Sequence, residues 1–588
     1  MERGGGLPMN AFPPPRFVRS GIYRWIRNPM YVGFGLVAAG VSIAVGSAAG
    51  LWLVTPVTCL AAAALVYGYE RHDLLRRFGP DALTPPLLSL PRGDSEAPTV
   101  PHRLAVFVWV LIPWLAAYSA VQALGRPPDA FQTAFSFERK WAVLQWTEVF
   151  YVSAYLFVPV TVLVIRTQRA LRYFAVEGLI ATVVVTLAWL TIPVVATNRP
   201  FEPTTLPGRM LAYELSHSNG VAAFPAFHVL WAFISAEGWG AKAGNSGRSP
   251  WVWAGWTWAL LIAVSSVTTG MHTVLEVAGA AVAYLPARHY GRVWTRVRAL
   301  TERLANSWKE WRVGQIRVIN HGVWAAAAGG VGTLIAGSAA GPDRDGAVMW
   351  VAMCALVGAG VWAQLLEGSS KLLRPFGWYG GVLGGIAGAL SARVAGVPIV
   401  PLLAAFSIAA PWIQILGRLR CLVQGCCHGR PAPASAGICY RHPRSRVTQL
   451  AHLAGMPIYP TPLYSIASDV VLGVILVRLR TLGASHTLVI GTFLMLGGIA
   501  RFVEESYRGE PQTRAIAGLH SYQWLAILSL VAGIVSTTLT PVAGPAGFTA
   551  PNAQLVCVAL AVAVAGGFAM GVDFPASNRR FSRLASAD

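Results

Sequence analysis

Apolar runs of membrane-crossing length recur along the whole chain, separated by short polar and mostly basic segments. Clear examples are Val32–Tyr67, Leu104–Leu124, Val143–Ile165, Ala175–Ala196 and Val252–Val267. Others follow at Val348–Leu365, Val397–Leu416, Leu488–Ala500 and Leu555–Val572. A helix needs roughly 20 apolar residues to cross a bilayer, and counting runs near that length gives about sixteen. Strand-like alternation is absent over any useful length, so the pattern predicts an all-α, polytopic membrane protein. Two polar junctions, Pro85–Arg103 and the basic stretch Arg288–Arg317, divide it into three bundles. These are a hairpin at 11–92, a central bundle at 101–290 and a C-terminal bundle at 319–572.

Composition agrees: of 588 residues, 55% are hydrophobic and only 12% charged, about half the usual charged share of a soluble protein. The formal net charge of +21 would suggest nucleic acid in a soluble protein. Here the basic residues cluster between apolar runs: Arg16, Arg19, Arg24 and Arg27; Arg71, Arg76 and Arg77; Arg166, Arg169 and Arg172; and the stretch Arg288–Arg317 with Lys309. That is the positive-inside pattern, facing anionic headgroups, and nucleic acid is not an expected partner. The stretch before Val32 is basic and rich in Pro and Gly, without a small-residue cleavage site, so no removable signal peptide is expected.

The first bundle opens with GIYRWIRNPMYVG at Gly21–Gly33, and its second arm ends in YERHDLLRRFG at Tyr69–Gly79. Both ends carry arginines and are expected on the cytoplasmic side. These residues resemble the C-terminal half of the isoprenylcysteine carboxyl methyltransferase and phospholipid methyltransferase group. The resemblance implies S-adenosylmethionine as a cofactor, with Arg27, Asn28, Pro29, Tyr31 and Glu70 as its binding residues; an arginine for its carboxylate is sensible chemistry. The family's upstream helices are missing, and Arg71 stands where a second glutamate is usual.

In the central bundle, FPAFHV at Phe224–Val229 places His228 at the start of an apolar helix. SSVTTGMHTVLEV at Ser265–Val277 places His272 and Glu276 four residues apart, on one helix face. Ionisable groups at such positions are costly and usually functional. Two imidazoles and a carboxylate suit phosphoryl transfer: one ring attacks phosphorus while a carboxylate holds its other nitrogen, and the second ring protonates the leaving oxygen. The arrangement resembles the type-2 phosphatidic acid phosphatase superfamily, which also contains phosphosphingolipid synthases. The resemblance implies His272 as nucleophile, Glu276 as its orienting partner, His228 as general acid and Arg199, in NRP at Asn198–Pro200, as a phosphate ligand. Ile192 stands where the family has a lysine, and Ser265–Ser266 where it has Ser-Arg. Hydrolysis and transfer to an alcohol both stay open.

The C-terminal bundle carries YGGVLGG at Tyr379–Gly385, GRLRCLVQGCCHGR at Gly417–Arg430, YPTPLY at Tyr459–Tyr464, RFVEESYR at Arg501–Arg508 and GLHSYQ at Gly518–Gln523. In this order and spacing they resemble prolipoprotein diacylglyceryl transferase. The resemblance implies transfer of diacylglycerol from phosphatidylglycerol to a cysteine thiol of a lipoprotein precursor, with release of glycerol phosphate. It assigns Arg418, Arg501, Glu505, Arg508 and Gln523 to substrate binding and puts Tyr379 at the place of a catalytic histidine. Arg501, Glu505 and Arg508 share a helix face. Cys421 replaces an asparagine of the family pattern.

Cys421, Cys426, Cys427, His428 and Cys439 cluster in that loop and offer zinc ligands, but without a clean paired Cys-x-x-Cys no metal site is assigned; a disulfide between two of the cysteines is a further alternative if the loop faces the periplasm. By helix count, loop 417–446, with its six arginines, falls on the cytoplasmic side, whereas the family's site opens to the outer leaflet. The sequence thus reads as a multi-pass enzyme of the bacterial plasma membrane acting on phosphatidylglycerol and lipid phosphates. The central and C-terminal bundles are expected to need no cofactor. The competing class is a non-catalytic lipid-binding or lipid-moving protein built on the same scaffolds.

Overall fold

In lipid every backbone amide must find a partner within its own segment, so the apolar runs close into helices. The structure is a computed structural model that describes residues 15–242, 249–367, 373–510, 515–579 and 581–585. Among the described residues, 12 helices are long and apolar enough to cross a membrane, and Pro29–Ala44 is a shorter apolar helix. This is a polytopic, mostly helical membrane protein. The expected sixteen is not reached at full length. Phe227–Lys242, Val274–Arg288 and Trp378–Ala392 have only 16, 15 and 15 residues. Polar or glycine-rich motif residues at or just before their first turns shorten the apolar part.

The chain divides into two compact units, Met1–Cys59 with Asp73–Trp294, and Leu60–His72 with Thr295–Asp588. In the first unit the helices that matter for function are α1 (Gln145–Val164), α2 (Gln168–Thr191), α3 (Phe227–Lys242), α4 (Pro250–Thr268) and α5 (Val274–Arg288). α3 packs against α2, α4 and α5. Thr273 caps α5: its hydroxyl accepts from the Glu276 amide while the Glu276 carboxylate accepts from the Thr273 amide. The cap holds Glu276 with its carboxylate turned back on the first turn.

The second unit contains α6 (Gly322–Ala340), α7 (Asp345–Glu367), α8 (Trp378–Ala392), α9 (Ile399–Gln424), α10 (Thr461–Thr481), α11 (His486–Tyr507), α12 (Ser521–Thr538) and α13 (Ala553–Gly571). α7 pairs with α8, α11 with α12 and α6 with α13, while α9 lies against both α6 and α10. The contacts are made by small residues, as expected where apolar surface has no water to leave. A Cβ on Gly384 would meet the Cys354 carbonyl of α7.

Because the helices alternate in direction, the starts of α8, α10 and α12 and the ends of α9 and α11 fall at one end of this unit. The residues assigned by the sequence motifs sit on these ends. The basic stretch is there too: Arg441 pairs with Glu302 at 2.6 Å and Asn306 donates to the Cys439 carbonyl at 2.9 Å.

Short strands, which the pattern did not reveal, pin the same end. Glu310–Val313 pairs with Ile316–Ile319, which pairs with Val572–Asp573. Ladders of two to four residues are too short to leave an alternation signal. Arg317 grips Asp573 through Nε at 2.9 Å and Nη2 at 2.7 Å, both side chains fully buried.

Candidate active sites

The deepest ion network lies at the ends of α9 and α11 in the second unit. Helical spacing puts Arg501, Glu504, Glu505 and Arg508 on neighbouring faces within about two helical turns. Arg501 Nη1 donates to Glu504 Oε1 at 2.8 Å, and its Nη2 pairs with Glu505. Arg508 Nε donates to Glu504 Oε1 at 3.2 Å and lies 3.9 Å from Glu505. From α9, Arg418 Nη2 reaches Glu504 Oε1 at 3.6 Å, and Ser465 of α10 donates to Glu504 Oε2 at 2.6 Å. Glu504 is therefore the hub, a residue the sequence reading passed over in favour of its neighbour. Its i+3 and i−4 spacing to Arg501 and Arg508 was the available signal.

Arg418 is the least committed arginine of the network: it is 8% exposed, its one ion pair, at 3.6 Å, is longer than the shortest pair of Arg501 or Arg508, and its Nε has no partner among the described residues. A buried, unsatisfied guanidinium N–H is expensive unless a ligand completes it. Three arginines against Glu504 and Glu505 leave one positive charge in surplus (3 − 2 = 1), the complement of a phosphodiester.

Tyr379, at the start of α8, stacks on Tyr522 of α12 at 5.6 Å, and the Arg501 guanidinium covers the other part of that stack, 5.2 Å from the Tyr522 ring. Glu510, also absent from the sequence reading, is pushed up to about 8 by burial, which outweighs the opposing Arg508 charge. It is therefore largely protonated at neutral pH and leaves the surplus charge intact.

Gln523 stands differently from its expected role. Its Oε1 accepts from the His520 amide at 3.0 Å, and its Nε2 donates to the Gly68 carbonyl at 3.0 Å and to that of Phe502 at 3.4 Å. With 2% exposure and both amide ends engaged, it positions α12 rather than presenting a free group to substrate.

In the first unit, His272 Nδ1 donates to Glu276 Oε2 at 2.7 Å, so a neutral ring presents Nε2 as its acceptor nitrogen. Glu276 is fully buried; its Oε1 accepts from the Thr133 hydroxyl at 2.7 Å. The His228 ring is 4.7 Å from that of His272, its Nε2 is 3.1 Å from Ser266 Oγ, and Tyr151 packs edge-on against it. Arg199 and His272 line one cleft with Glu138, Thr197 and Thr273. Arg199 donates to the carbonyls of Trp141 and Val267, and burial lowers its pKa. The structure thus brings together all four central residues named from the sequence and adds Thr133, Glu138 and Ser266, whose contacts cross between elements far apart in the chain.

At the N-terminal hairpin, Arg27 donates to the Thr84 carbonyl, Asn28 stands at the N-terminal boundary of the helix that opens with Pro29, and Tyr31 packs against Phe34 at 6.2 Å. These four lie in the first unit, whereas Glu70 belongs to the second.

Fold and site together define a multi-pass membrane protein with buried, anion-complementary charge at its helix ends. Residues 310–539 match the family model of prolipoprotein diacylglyceryl transferase, and residues 9–80 match that of phospholipid methyltransferase. Tyr379, Arg418, Arg501, Glu504, Glu505, Arg508 and Gln523 all fall inside the first match. The chain is 27% identical over 190 residues to phosphatidylglycerol–prolipoprotein diacylglyceryl transferase 2 of Clostridium perfringens, covering 31% of this chain and 71% of the relative. It is 25% identical over 121 residues to phosphatidylglycerol–prolipoprotein diacylglyceryl transferase of Clostridium tetani, covering 21% of this chain and 46% of the relative.

Proposed function

We propose that the second unit transfers diacylglycerol from phosphatidylglycerol to a cysteine thiol of a lipoprotein precursor, in the plasma membrane of a bacterium. The observation that carries this is the Arg418–Glu504–Arg501–Glu505–Arg508 network with its single surplus charge. In the reaction the thiolate sulfur attacks the glyceryl carbon bonded to the phosphate oxygen. A C–S bond forms, the C–O bond breaks, and the electron pair leaves with glycerol phosphate. Arg418, Arg501 and Arg508 neutralise the phosphate as negative charge collects on the leaving oxygen, the kind of preorganised electrostatics that lowers such barriers. Tyr379 stands beside the network as a group to orient the acceptor. The test is transfer of labelled diacylglycerol from phosphatidylglycerol to a cysteine peptide by the purified chain in detergent. Thioether product, lost in Arg501→Gln, supports the reading; no product from the wild type overturns it.

The central bundle supports a second activity, carried by the His272–Glu276 pair beside Arg199. In this reading His272 Nε2 attacks the phosphorus of a lipid phosphate, Glu276 steadies the imidazolium, Arg199 binds phosphate oxygens and His228 protonates the departing alcohol. Water then attacks that phosphorus, giving its proton to His228, the N–P bond breaks and phosphate leaves. Phosphatidylglycerol phosphate is the substrate that would feed the other unit. Phosphate release by the wild type and a loss of roughly a hundredfold or more in His272→Ala is the expected result; equal release by both refutes it. At the hairpin the proposal is confined to S-adenosylmethionine as ligand of Arg27, Asn28, Pro29 and Tyr31 in the first unit. Calorimetric titration showing no heat with the wild type would end it.

A further inference from the structure

The acceptor thiol must lose its proton before it can attack carbon, and the network described above supplies only positive charge and spent carboxylates. Tyr379 is a weak base, since an ordinary phenol ionises near pH ~10. Beside the network lies a group of side chains that the transfer scheme does not use. α9 ends where Gly425 adopts a left-handed conformation (φ 72°), its amide donating to the Cys421 carbonyl at 2.8 Å. That tight reversal folds Cys426 and Cys427 back over the last turn. The Sγ atoms of Cys421, Cys426 and Cys427 all lie within 4.8 Å of one another, and those of Cys426 and Cys427 are 3.9 Å apart.

The loop is held firmly. Thr461 donates to the Cys427 carbonyl at 2.6 Å, and the Gly509 amide, next to Arg508, donates to the His428 carbonyl at 3.1 Å. Cys427 therefore sits against the segment that closes the arginine–glutamate network, within electrostatic reach of both Arg418 and Arg508.

Three sulfurs bound to one zinc ion at ~2.3 Å stand ~3.8 Å apart in a tetrahedral site. The Cys426–Cys427 separation of 3.9 Å already meets this, and the widest separation, at most 4.8 Å, needs a closure of about an ångström. A disulfide needs its sulfurs at ~2.05 Å, which none of these has in the structure.

We propose that Cys421, Cys426 and Cys427 bind a single zinc ion whose open fourth position takes the acceptor thiol. Three protein ligands with one position free is the pattern of a catalytic rather than a structural zinc, and a thiol bound to zinc is deprotonated outright. The acceptor loses its proton to solvent on binding, and its sulfur, still nucleophilic, attacks the glyceryl carbon while glycerol phosphate departs against Arg418 and Arg508. The three protein thiolates remain metal-bound throughout, and a thioether formed on any of them would be a dead end. The inference rests on the transferase reading, because the fourth ligand is that reaction's acceptor.

The test uses the full chain, purified in detergent under reductant without chelator. Stoichiometric zinc by mass spectrometry is expected, lost in Cys421→Ser and Cys427→Ser and kept in Cys439→Ser, which lies outside the triad. After cobalt exchange, the wild type should show a thiolate-to-metal charge-transfer band that intensifies when a cysteine peptide is added and stays unchanged with the serine peptide. Absence of zinc together with absence of the cobalt band overturns the site, as does a disulfide within the triad found by peptide mapping. Transfer that survives complete zinc removal overturns the thiol-activating role while leaving the transferase reading intact. Zinc and the cobalt–thiol signal without any lipid transfer overturn the transferase reading and leave the metal site standing.

Discussion

Replacing Arg418 by alanine separates the charge that serves substrate from the charge that serves the fold. Glu504 keeps its bonds to Arg501 at 2.8 Å, to Arg508 at 3.2 Å and to Ser465 at 2.6 Å, so no carboxylate is left unpaired. The deleted group contributes only the 3.6 Å pair and an unsatisfied Nε. The surplus positive charge, however, disappears. A hydrogen bond to a charged group contributes about 1.5–3 kcal/mol, and ~1.4 kcal/mol is a factor of ten. Loss of one such contact to the phosphodiester should therefore lower kcat/KM for phosphatidylglycerol roughly ten- to a hundredfold. The assay is initial-rate transfer from labelled phosphatidylglycerol, run with a melting curve on the same preparation. Arg418→Lys should recover part of the rate, since it restores charge without the planar fork. An Arg418→Ala protein with unchanged kcat/KM would refute the assignment of Arg418 to phosphate. One that melts far below the wild type would show that the residue holds the fold instead.

Three further outcomes follow from the second unit. Arg317→Ala leaves the fully buried Asp573 carboxylate without its partner and should cost about 3–5 kcal/mol, read as a lower melting temperature and earlier proteolysis of the C-terminal end. Arg317→Ala combined with Asp573→Asn should recover part of that loss. His321 is fully buried against Trp308, with Arg420, Arg446 and Arg317 nearby, and its pKa is held well below 6.5 chiefly by burial. Only the unfolded chain then takes up this proton, so its contribution to stability is full above pH 6.5 and falls as pH drops below it. The wild type should lose melting temperature on acidification more steeply than His321→Phe, and parallel curves would exclude the effect. Gly384→Leu should wedge α7 from α8 through the Cys354 carbonyl and cost about 1–3 kcal/mol or more, measured by thermal aggregation of the detergent-solubilised protein; an unchanged transition would mean the helices can separate freely there.

Helical periodicity made part of each site legible in advance. Spacing pointed to the His272–Glu276 pair, but the structure makes it differently: His272 lies two residues before α5, and the Thr273 cap turns the Glu276 carboxylate back onto it. Arg501 and Glu505, by contrast, do share a face within α11. The same rule applies to Glu504, which stands three residues from Arg501 and four from Arg508. Periodicity says nothing about a neighbour on another helix. The meeting of Arg418 with Glu504, of Thr133 with Glu276 and of Gln523 with the Gly68 carbonyl is decided by packing between segments 86, 143 and 455 residues apart. Gln523 looked like a substrate ligand until those partners consumed its amide.

What the sequence determined by itself is the membrane class, the helices and the residues that share a helix face, because lipid leaves an apolar run no other way to satisfy its backbone. Tertiary structure alone decided which ends converge, which arginine keeps an unpaired donor, and that three cysteines with no metal-like spacing bring their sulfurs together. A left-handed glycine and the burial around it set those distances, and neither is visible in the order of residues.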